Sequence, residues 1–208
     1  MAPMEPMTLA TQLERYADLA LHVGVGYQAG QRVVLRAPLE AAPLARAITA
    51  AAYKAGAPYV HVVWSDDEVA KARYLHADET TLEEVPLGIP EAMTAMAERG
   101  DVSIAISAND PEALKGVDPT RVSKAQAALQ RALKGWRKVY MSDAAPWTVI
   151  AMPTVGWARK VFPDVGEEAA VDALWEAIFA AIRLDQDDPV AAWKTHAEHL
   201  GARASVLN

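Results

Sequence analysis

Four consecutive polar residues form one of two candidate metal sites in this sequence. They are Ser65, Asp66, Asp67 and Glu68, and they follow a short apolar run with the composition of a buried strand. Open α/β sheets often bind ligands just after a strand, and carboxylates suit a hard cation. Ser65 and Glu68 also form a capping box at the start of a helix, where the two aspartates favour the helix dipole. We favour the capping interpretation and predict no metal ligand here.

Two histidines form the other candidate metal pair. His196 and His199 lie one turn apart on a predicted helix, a spacing at which two imidazoles could share an ion. No third ligand accompanies them, and the helix around them is typical of a solvated face. Two-metal hydrolysis needs several carboxylates and imidazoles that converge on bridged ions, and the five histidines of this chain are scattered. The sequence therefore predicts no metal ligand and no catalytic residue.

Polar residues at the ends of predicted strands indicate a crevice that could bind a small molecule. Ligands of open α/β sheets bind outside the carboxyl ends of the strands, where these residues lie. We predict a crevice lined by Asp66, Asn109, Thr154, Trp157 and Arg159. Trp157 is equally suited to anchor the core, since large aromatic side chains are mostly buried.

A basic segment stands out in this acidic chain. From 121 to 138 it has six basic residues and no acidic one: Arg121, Lys124, Arg131, Lys134, Arg137 and Lys138. The segment is either a solvated helix face or a docking surface for an acidic partner domain or a substrate carboxylate. Both interpretations stay open.

Apolar runs separated by helical periods predict the elements that position these residues. The runs typical of strands are 31–36, 59–64, 102–107 and 147–152, the first three buried on both faces. A helical period between the first two makes a βαβ unit and implies parallel strands. Another, before the fourth strand, begins with Asp118 as its cap and Pro119 in its first turn and is ended by Gly135. We predict one α/β domain over 1–208, with a mainly parallel sheet of at least four strands, helices on both faces and an all-helical C-terminal segment.

The composition excludes several classes of function. The 208 residues include no cysteine, which excludes thiolate metal sites and a cysteine nucleophile. The net charge of −7 repels a phosphate backbone, so we expect no nucleic-acid partner. No apolar run approaches the roughly 20 residues that a membrane span needs. We expect a cytoplasmic protein.

The last predicted helix, within 188–208, carries an apolar stripe that nothing downstream covers. Its members recur at spacings of three and four: Val190, Trp193, Ala197, Leu200, Ala204 and Leu207. Such a seam needs a partner, and the chain ends without a Gly or Pro stop signal. We therefore expect a domain of a larger protein, in which this helix leads to a missing domain.

Five stretches together resemble the N-terminal half of the thermophilic metallo-aminopeptidases, the aminopeptidase T and aminopeptidase S family. They are YADLALHVGVGYQAGQRVVLRAP (16 to 38), AGAPYVHVVWSDDEVAKAR (55 to 73), SIAISANDP (103 to 111), PWTVIAMPTVGWARKVFP (146 to 163) and DPVAAWKTHAEHLGARASVLN (188 to 208). The most distinctive part is the core formed by Pro153, Thr154, Trp157 and Ala158.

The resemblance implies a cytoplasmic exopeptidase that removes N-terminal amino acids from peptides with two divalent metal ions, zinc or cobalt, in a homodimer that encloses a cavity. In that family the Glu, His and Asp ligands and the catalytic groups belong to the C-terminal half, and no position of this chain matches them. The implied role of this chain is an N-terminal domain that shapes the cavity, restricts access and supports dimerisation. It is expected to be inactive without the C-terminal catalytic domain of the same parent.

Two other functions stay open. A free-standing module would bind a small molecule in the crevice near Asn109 and Trp157. A self-sufficient metalloenzyme would have to recruit His196 and His199 together with Asp66 or Asp67.

Overall fold

The structure, a computed structural model, describes residues 8–207, the last of them by its backbone alone. At its centre is a sheet of four parallel strands in the order β2-β1-β3-β4. The strands are β1 (Val33–Pro38), β2 (Val60–Ser65), β3 (Val102–Ser107) and β4 (Trp147–Ala151). Each strand overlaps one of the four predicted runs, so the predicted parallel sheet is confirmed.

Helices account for most of the remaining described chain. They are α1 (Leu9–Leu19), α2 (Ala42–Lys54), α3 (Asp67–His76), α4 (Ile89–Glu98), α5 (Pro119–Ala132), α6 (Lys134–Met141), α7 (Val155–Val161), α8 (Glu167–Ala181) and α9 (Pro189–Leu207). A π-helical turn, Ala20–Gly24, extends α1. Three helices follow β4, which confirms the all-helical C-terminal segment. Within residues 8–207, none of the helices is long and apolar enough to cross a membrane.

Local chemistry explains where the helices begin. The Asp118 carboxylate accepts a hydrogen bond from the backbone N–H of Thr120 (2.8 Å), and Pro119 occupies the first helical position of α5. An aspartate N-cap satisfies a donor that the helix leaves unpaired, and proline has no N–H to lose there. The predicted start of this helix is confirmed.

Alternate residues of the central strand β1 face two different layers of helices. Val33, Leu35 and Ala37 belong to the main hydrophobic core, which residues of α1, α2 and α8 complete. Arg36 points to the opposite face, where its guanidinium lies over the Trp136 ring of α6 at 4.6 Å from the centroid. Side chains alternate across a strand, so β1 packs on both layers. The prediction of helices on both faces is confirmed.

The prediction that the 59–64 strand is buried on both faces is wrong. β2 lies at the edge of the sheet, and only its first residue, Val60, is fully buried. The Trp64 side chain near its carboxyl end is 43% exposed and borders a cavity. The helices cover the central strands and leave the end of this edge strand open.

Gly135 does not end a helix as predicted. α5 ends at Ala132, with Leu133 as its C-cap, and Gly135 is the second residue of α6. A Cβ at this position would lie 2.8 Å from Thr94 Cγ2 and 3.0 Å from Thr94 Oγ1. The absent side chain thus lets α6 approach α4 closely, and a tertiary contact accounts for this glycine.

Tyr16 joins α1 to β4, the edge strand opposite β2. Its hydroxyl donates to the carbonyl oxygen of Ala151 (3.0 Å) and accepts from the Ala151 N–H (3.1 Å). The ring is 2% exposed and meets Phe179 of α8 edge to face, at 6.2 Å between centroids. Burial raises the pKa of Tyr16 from 10.0 to about 12, although the hydrogen bond with Ala151 opposes this.

We expect Tyr16→Phe to lower the free energy of unfolding by about 1–2 kcal/mol, because both backbone groups of Ala151 lose their partner. Urea unfolding followed by circular dichroism measures the change. Tyr59→Phe is the matched control, since Tyr59 is 54% exposed, and should change stability by less than about 0.5 kcal/mol. Equal losses in the two variants would contradict this role of Tyr16.

We also expect stability to fall at alkaline pH. The pKa of Tyr16 is raised by burial to about 12, so its hydroxyl ionises first in the unfolded chain and its stabilising contribution is lost as pH rises from about 10 through 12. Burial likewise raises the pKa of Tyr140 to about 12. Urea midpoints at pH 8 and about pH 11 measure the loss, which should be smaller in Tyr16→Phe than in Tyr59→Phe. An identical loss in both variants would count against the assignment.

Candidate functional site

A cavity of about 550 Å³ lies on the second face of the sheet. We call it the Arg36 cavity; its walls come from β1, β2 and β3, from α4, α5 and α6, and from the loop before α4. Its size falls within the usual range for small-molecule sites. The larger apolar side chains that line it are Val63, Ile89, Met93, Leu129, Leu133 and Trp136.

Arg36 is the charged residue that β1 contributes to this cavity. Its guanidinium stacks on Trp136, and its Nε is buried without a hydrogen-bond partner in the described part of the chain. Burial lowers the pKa of Arg36, and the nearby Tyr140 acts in the opposite direction. An arginine still carries its charge in a protein, so the cavity contains a cation.

Arg73 also lines the cavity, and backbone carbonyl groups around it occupy one of its guanidinium nitrogens. Its Nη2 donates to the carbonyl oxygens of Leu82 (3.1 Å) and Glu84 (2.7 Å), and more distantly to that of Thr81. These bonds hold segment 81–84, which leads into the rim of the cavity. Arg73 therefore shapes the cavity.

Three residues of the basic segment bind groups of the same chain. Arg121 donates to the carbonyl oxygens of Tyr74 (2.6 Å) and Ala77, at the end of α3. Two ion pairs follow: Lys124 with Glu79 at 3.5 Å, and Arg131 with Glu83 at 2.5 Å. For these three basic residues, the partner that the sequence left open is the chain's own segment 74–83.

The acidic run after β2 caps a helix. Asp66 accepts hydrogen bonds from the N–H groups of Glu68 (2.8 Å) and Val69 (3.1 Å) as the N-cap of α3. The predicted capping box placed Ser65 in that position, which is wrong, because β2 continues through Ser65. Partial burial, and then the carboxylates around it, raise the pKa of Asp67 above its ordinary value.

The five residues predicted to line a crevice are distributed over several places. Asn109 borders the Arg36 cavity, and Asp66 lines a depression of about 390 Å³ beside it. The Thr154 hydroxyl accepts from the N–H of Trp157 (3.2 Å) and donates to the carbonyl oxygen of Asn109 (3.4 Å). Trp157 packs partly buried on the main core. Arg159 lines a separate depression and lies 3.7 Å from Glu167.

The cavity residues that sequence reasoning missed are Arg36 and Trp136. An arginine inside an otherwise apolar strand was the available signal, because a charge on a central strand needs a partner or a cavity. Trp136 carried no such signal, since its position depends on how α6 packs on the sheet.

The apolar stripe of α9 divides into an anchored part and an open part. The Trp193 Nε1–H donates to the carbonyl oxygen of Ile182 (2.6 Å), and Arg183 lies over its ring at 4.9 Å. Leu200 is 50% exposed, and Ala197 and Ala204 are exposed. Val190 is also exposed, and the Leu207 side chain lies outside what the structure describes. Trp193 therefore contacts its own domain, and the open part begins after it.

Within residues 8–207, no group of three or more His, Asp or Glu side chains is arranged to hold a metal ion. His196 lies edge to face against Trp193, at 5.5 Å between ring centroids. The described residues therefore do not fit a divalent metal centre.

Comparison with known proteins gives a consistent result. Residues 9–208 match the family model described as thermophilic metalloprotease (M29). The chain is 43% identical to aminopeptidase 2 of Geobacillus stearothermophilus over 197 residues, which are 95% of this chain and 48% of the relative. It is 40% identical to aminopeptidase T of Thermus thermophilus, over 94% of this chain and 48% of the relative.

The fold agrees with these matches. The solved structure of wild-type AmpT from Thermus thermophilus superposes with a TM-score of 0.85 and 37% identity, covering 92% of this chain and 47% of that one. The chain thus spans about half the length of the curated relatives that it matches.

We expect Asp66→Ala to destabilise the protein by about 1 kcal/mol and Asp66→Asn to change stability little, because asparagine caps a helix as well as aspartate does. Urea unfolding, repeated with and without Mg²⁺ or Co²⁺, measures both. A wild-type stability that rises with either ion, and a rise that Asp66→Asn abolishes, would contradict the capping role and favour a metal ligand.

Proposed function

The chain belongs to the thermophilic metalloprotease (M29) family, and from this premise we propose that it is the N-terminal, scaffold-forming domain of an aminopeptidase that releases N-terminal amino acids from peptides. The observation that carries the proposal is the match to AmpT, which covers 92% of this chain but 47% of that structure. The named relatives are aminopeptidases, which supports the class of reaction.

The proposal places the hydrolytic chemistry outside these residues. Metal-assisted hydrolysis needs several carboxylates and imidazoles around each ion, and no such group exists among residues 8–207. The two divalent ions that the resemblance implies, zinc or cobalt, would therefore be bound by the C-terminal catalytic domain of the same parent protein. The isolated chain is then inactive.

The role left to this domain is to shape the substrate cavity, restrict access and support dimerisation. The main hydrophobic core, to which α1, α2 and α8 contribute, supports such a role, because it is built from apolar side chains and includes no metal ligand. The peptide substrate, the homodimer and the cytoplasmic location expected from the sequence belong to the same proposal, which includes neither nucleic acid nor membrane.

We propose that the open part of α9 contacts the catalytic domain. Leu200, Ala197 and Ala204 expose apolar surface there, while Trp193 fixes the start of the helix to the core. A helix that is anchored at one end and apolar at the other suits an interdomain contact, since apolar contacts buried at an interface dominate its stability.

We expect the 208-residue chain to release no amino acid from leucyl or arginyl chromogenic substrates, even with added Co²⁺, and to purify with substoichiometric zinc and cobalt. A chimera in which the chain replaces the matching half of Thermus thermophilus aminopeptidase T should be active in the same assay. Robust turnover by the chain alone would contradict the proposal. So would a folded chimera that binds metal but does not hydrolyse either substrate.

The same chimera tests the interdomain contact. Leu200→Asp should lower its thermal stability or activity, because a charge would be buried at the interface. In the 208-residue chain the same change should have little effect, since Leu200 is half exposed there. Thr195→Asp, at an exposed position of the same helix, is the matched control. If both variants leave the chimera unchanged, α9 does not contact the catalytic domain through Leu200.

A further inference from the structure

We propose that the Arg36 cavity binds a small organic monocarboxylate with an apolar body. The inference does not depend on the proposed function. It rests on three features of the cavity: a cation that forms no ion pair among the described residues, apolar walls, and two side-chain amides in the same lining.

The Arg36 guanidinium is free to take an anion. The Arg36 guanidinium carbon lies 4.6 Å from the centroid of the Trp136 ring, a cation–π contact. No ion pair or hydrogen bond joins Arg36 to another of the described residues, and its Nε is buried without a partner. A guanidinium offers parallel N–H donors that match the two oxygens of a carboxylate.

Two ionisable groups near Arg36, Asp101 and Tyr140, are held by other partners, and a third, the exposed Glu84, also lines the cavity but forms no ion pair with Arg36. The Asp101 carboxylate is held by Arg99, with contacts of 2.8 Å and 2.5 Å. Tyr140 donates its hydroxyl to the carbonyl oxygen of Asp101 (2.9 Å) and remains protonated at neutral pH, because burial raises its pKa to about 12. These groups leave the positive charge of Arg36 facing the cavity uncompensated.

The walls select the body of the ligand. Met93, Leu129 and Leu133 come from the helices, and Ala105 contributes a small surface from the sheet. A buried apolar surface favours an aromatic or branched aliphatic group. Asn109 and Gln126 also line the cavity and add amide donors and acceptors. One unpaired guanidinium among apolar walls fits a monoanion, whereas a phosphate group needs more donors than this cavity provides.

Ligand-detected and protein NMR titrations of the 208-residue chain test the proposal. The probe is 3-phenylpropionate, and its neutral counterpart is 3-phenylpropanamide. We expect saturable binding of the carboxylate, with shifts at residues that line the Arg36 cavity, and binding of the amide at least about tenfold weaker. Inorganic phosphate, the alternative anion, should bind more weakly than the carboxylate.

Arg36→Gln should reduce the affinity for 3-phenylpropionate to that for the amide. The matched control is Arg32→Gln, an exposed arginine that precedes β1, and it should bind as the unaltered chain does. Leu129→Asp provides a second variant in case Arg36→Gln fails to fold. Its side chain lines the cavity at a 43% exposed position, and a negative charge there should weaken carboxylate binding more than amide binding.

Three results would overturn the proposal: no saturable binding of 3-phenylpropionate, equal affinity for the carboxylate and the amide, or unchanged binding in a folded Arg36→Gln variant. Tighter binding of phosphate than of the carboxylate would also overturn it, because the ligand class would then be different. Each readout is a binding measurement, so the outcome is independent of whether the chain takes part in peptide hydrolysis.

Discussion

The alternation of side chains along β1 gives the sheet two different faces, one that packs on the main hydrophobic core and one that carries a charge. Val33, Leu35 and Ala37 pack into the main core, whereas Arg36 projects to the other side. A charged residue on a central strand cannot be buried as its apolar neighbours are, since desolvation of an unpaired charge is costly. The second layer of helices therefore packs around Arg36 with Trp136 against it and leaves the Arg36 cavity, whereas a smaller depression of about 380 Å³ remains on the first face beside Tyr16 and Trp193.

Polar contacts hold much of the second layer, and this explains how it remains partly open. Arg121 of α5 donates to backbone carbonyl groups at the end of α3, and Arg73 of α3 donates to those of the segment that follows, which ties α3, α5 and the rim of the cavity together. Hydrogen bonds from a charged donor are stronger than neutral ones and fix geometry without filling volume. The layer thus has a defined shape with space inside it. On the opposite face, Tyr16 and Phe179 fill the corresponding region with aromatic rings.

Features set by local sequence were predictable, and features set by packing were not. The four strands, the βαβ unit and the Asp118 cap follow from patterns a few residues long, and the family resemblance was confirmed. The sequence predicts that Gly135 ends a helix, whereas in the structure it allows a close approach to Thr94. This contact joins two helices that are distant in sequence, so a local pattern does not reveal it. The predicted crevice followed the rule that ligands bind after strands, but the cavity depends on how α5 and α6 lie over the sheet. The sequence shows that Arg36 lies in an apolar run, but only the strand order shows that this run is a central strand.

A scaffold domain needs a well-packed core, and a binding site needs a cavity. One face of this sheet carries the main core and the other carries the Arg36 cavity. The face that holds the main core packs through apolar side chains, and the proposed location of the hydrolytic chemistry in the catalytic domain leaves this packing unaffected. Trp193 joins α9 to that core, which gives the helix a fixed origin while its later turns present Leu200 outward. The Arg36 cavity lies mainly on the other face: its lining shares Ala37 and Ile106 with the main core and includes none of the residues that anchor α9. Changes to the cavity can therefore alter ligand binding without disturbing the contact that we propose between α9 and the catalytic domain.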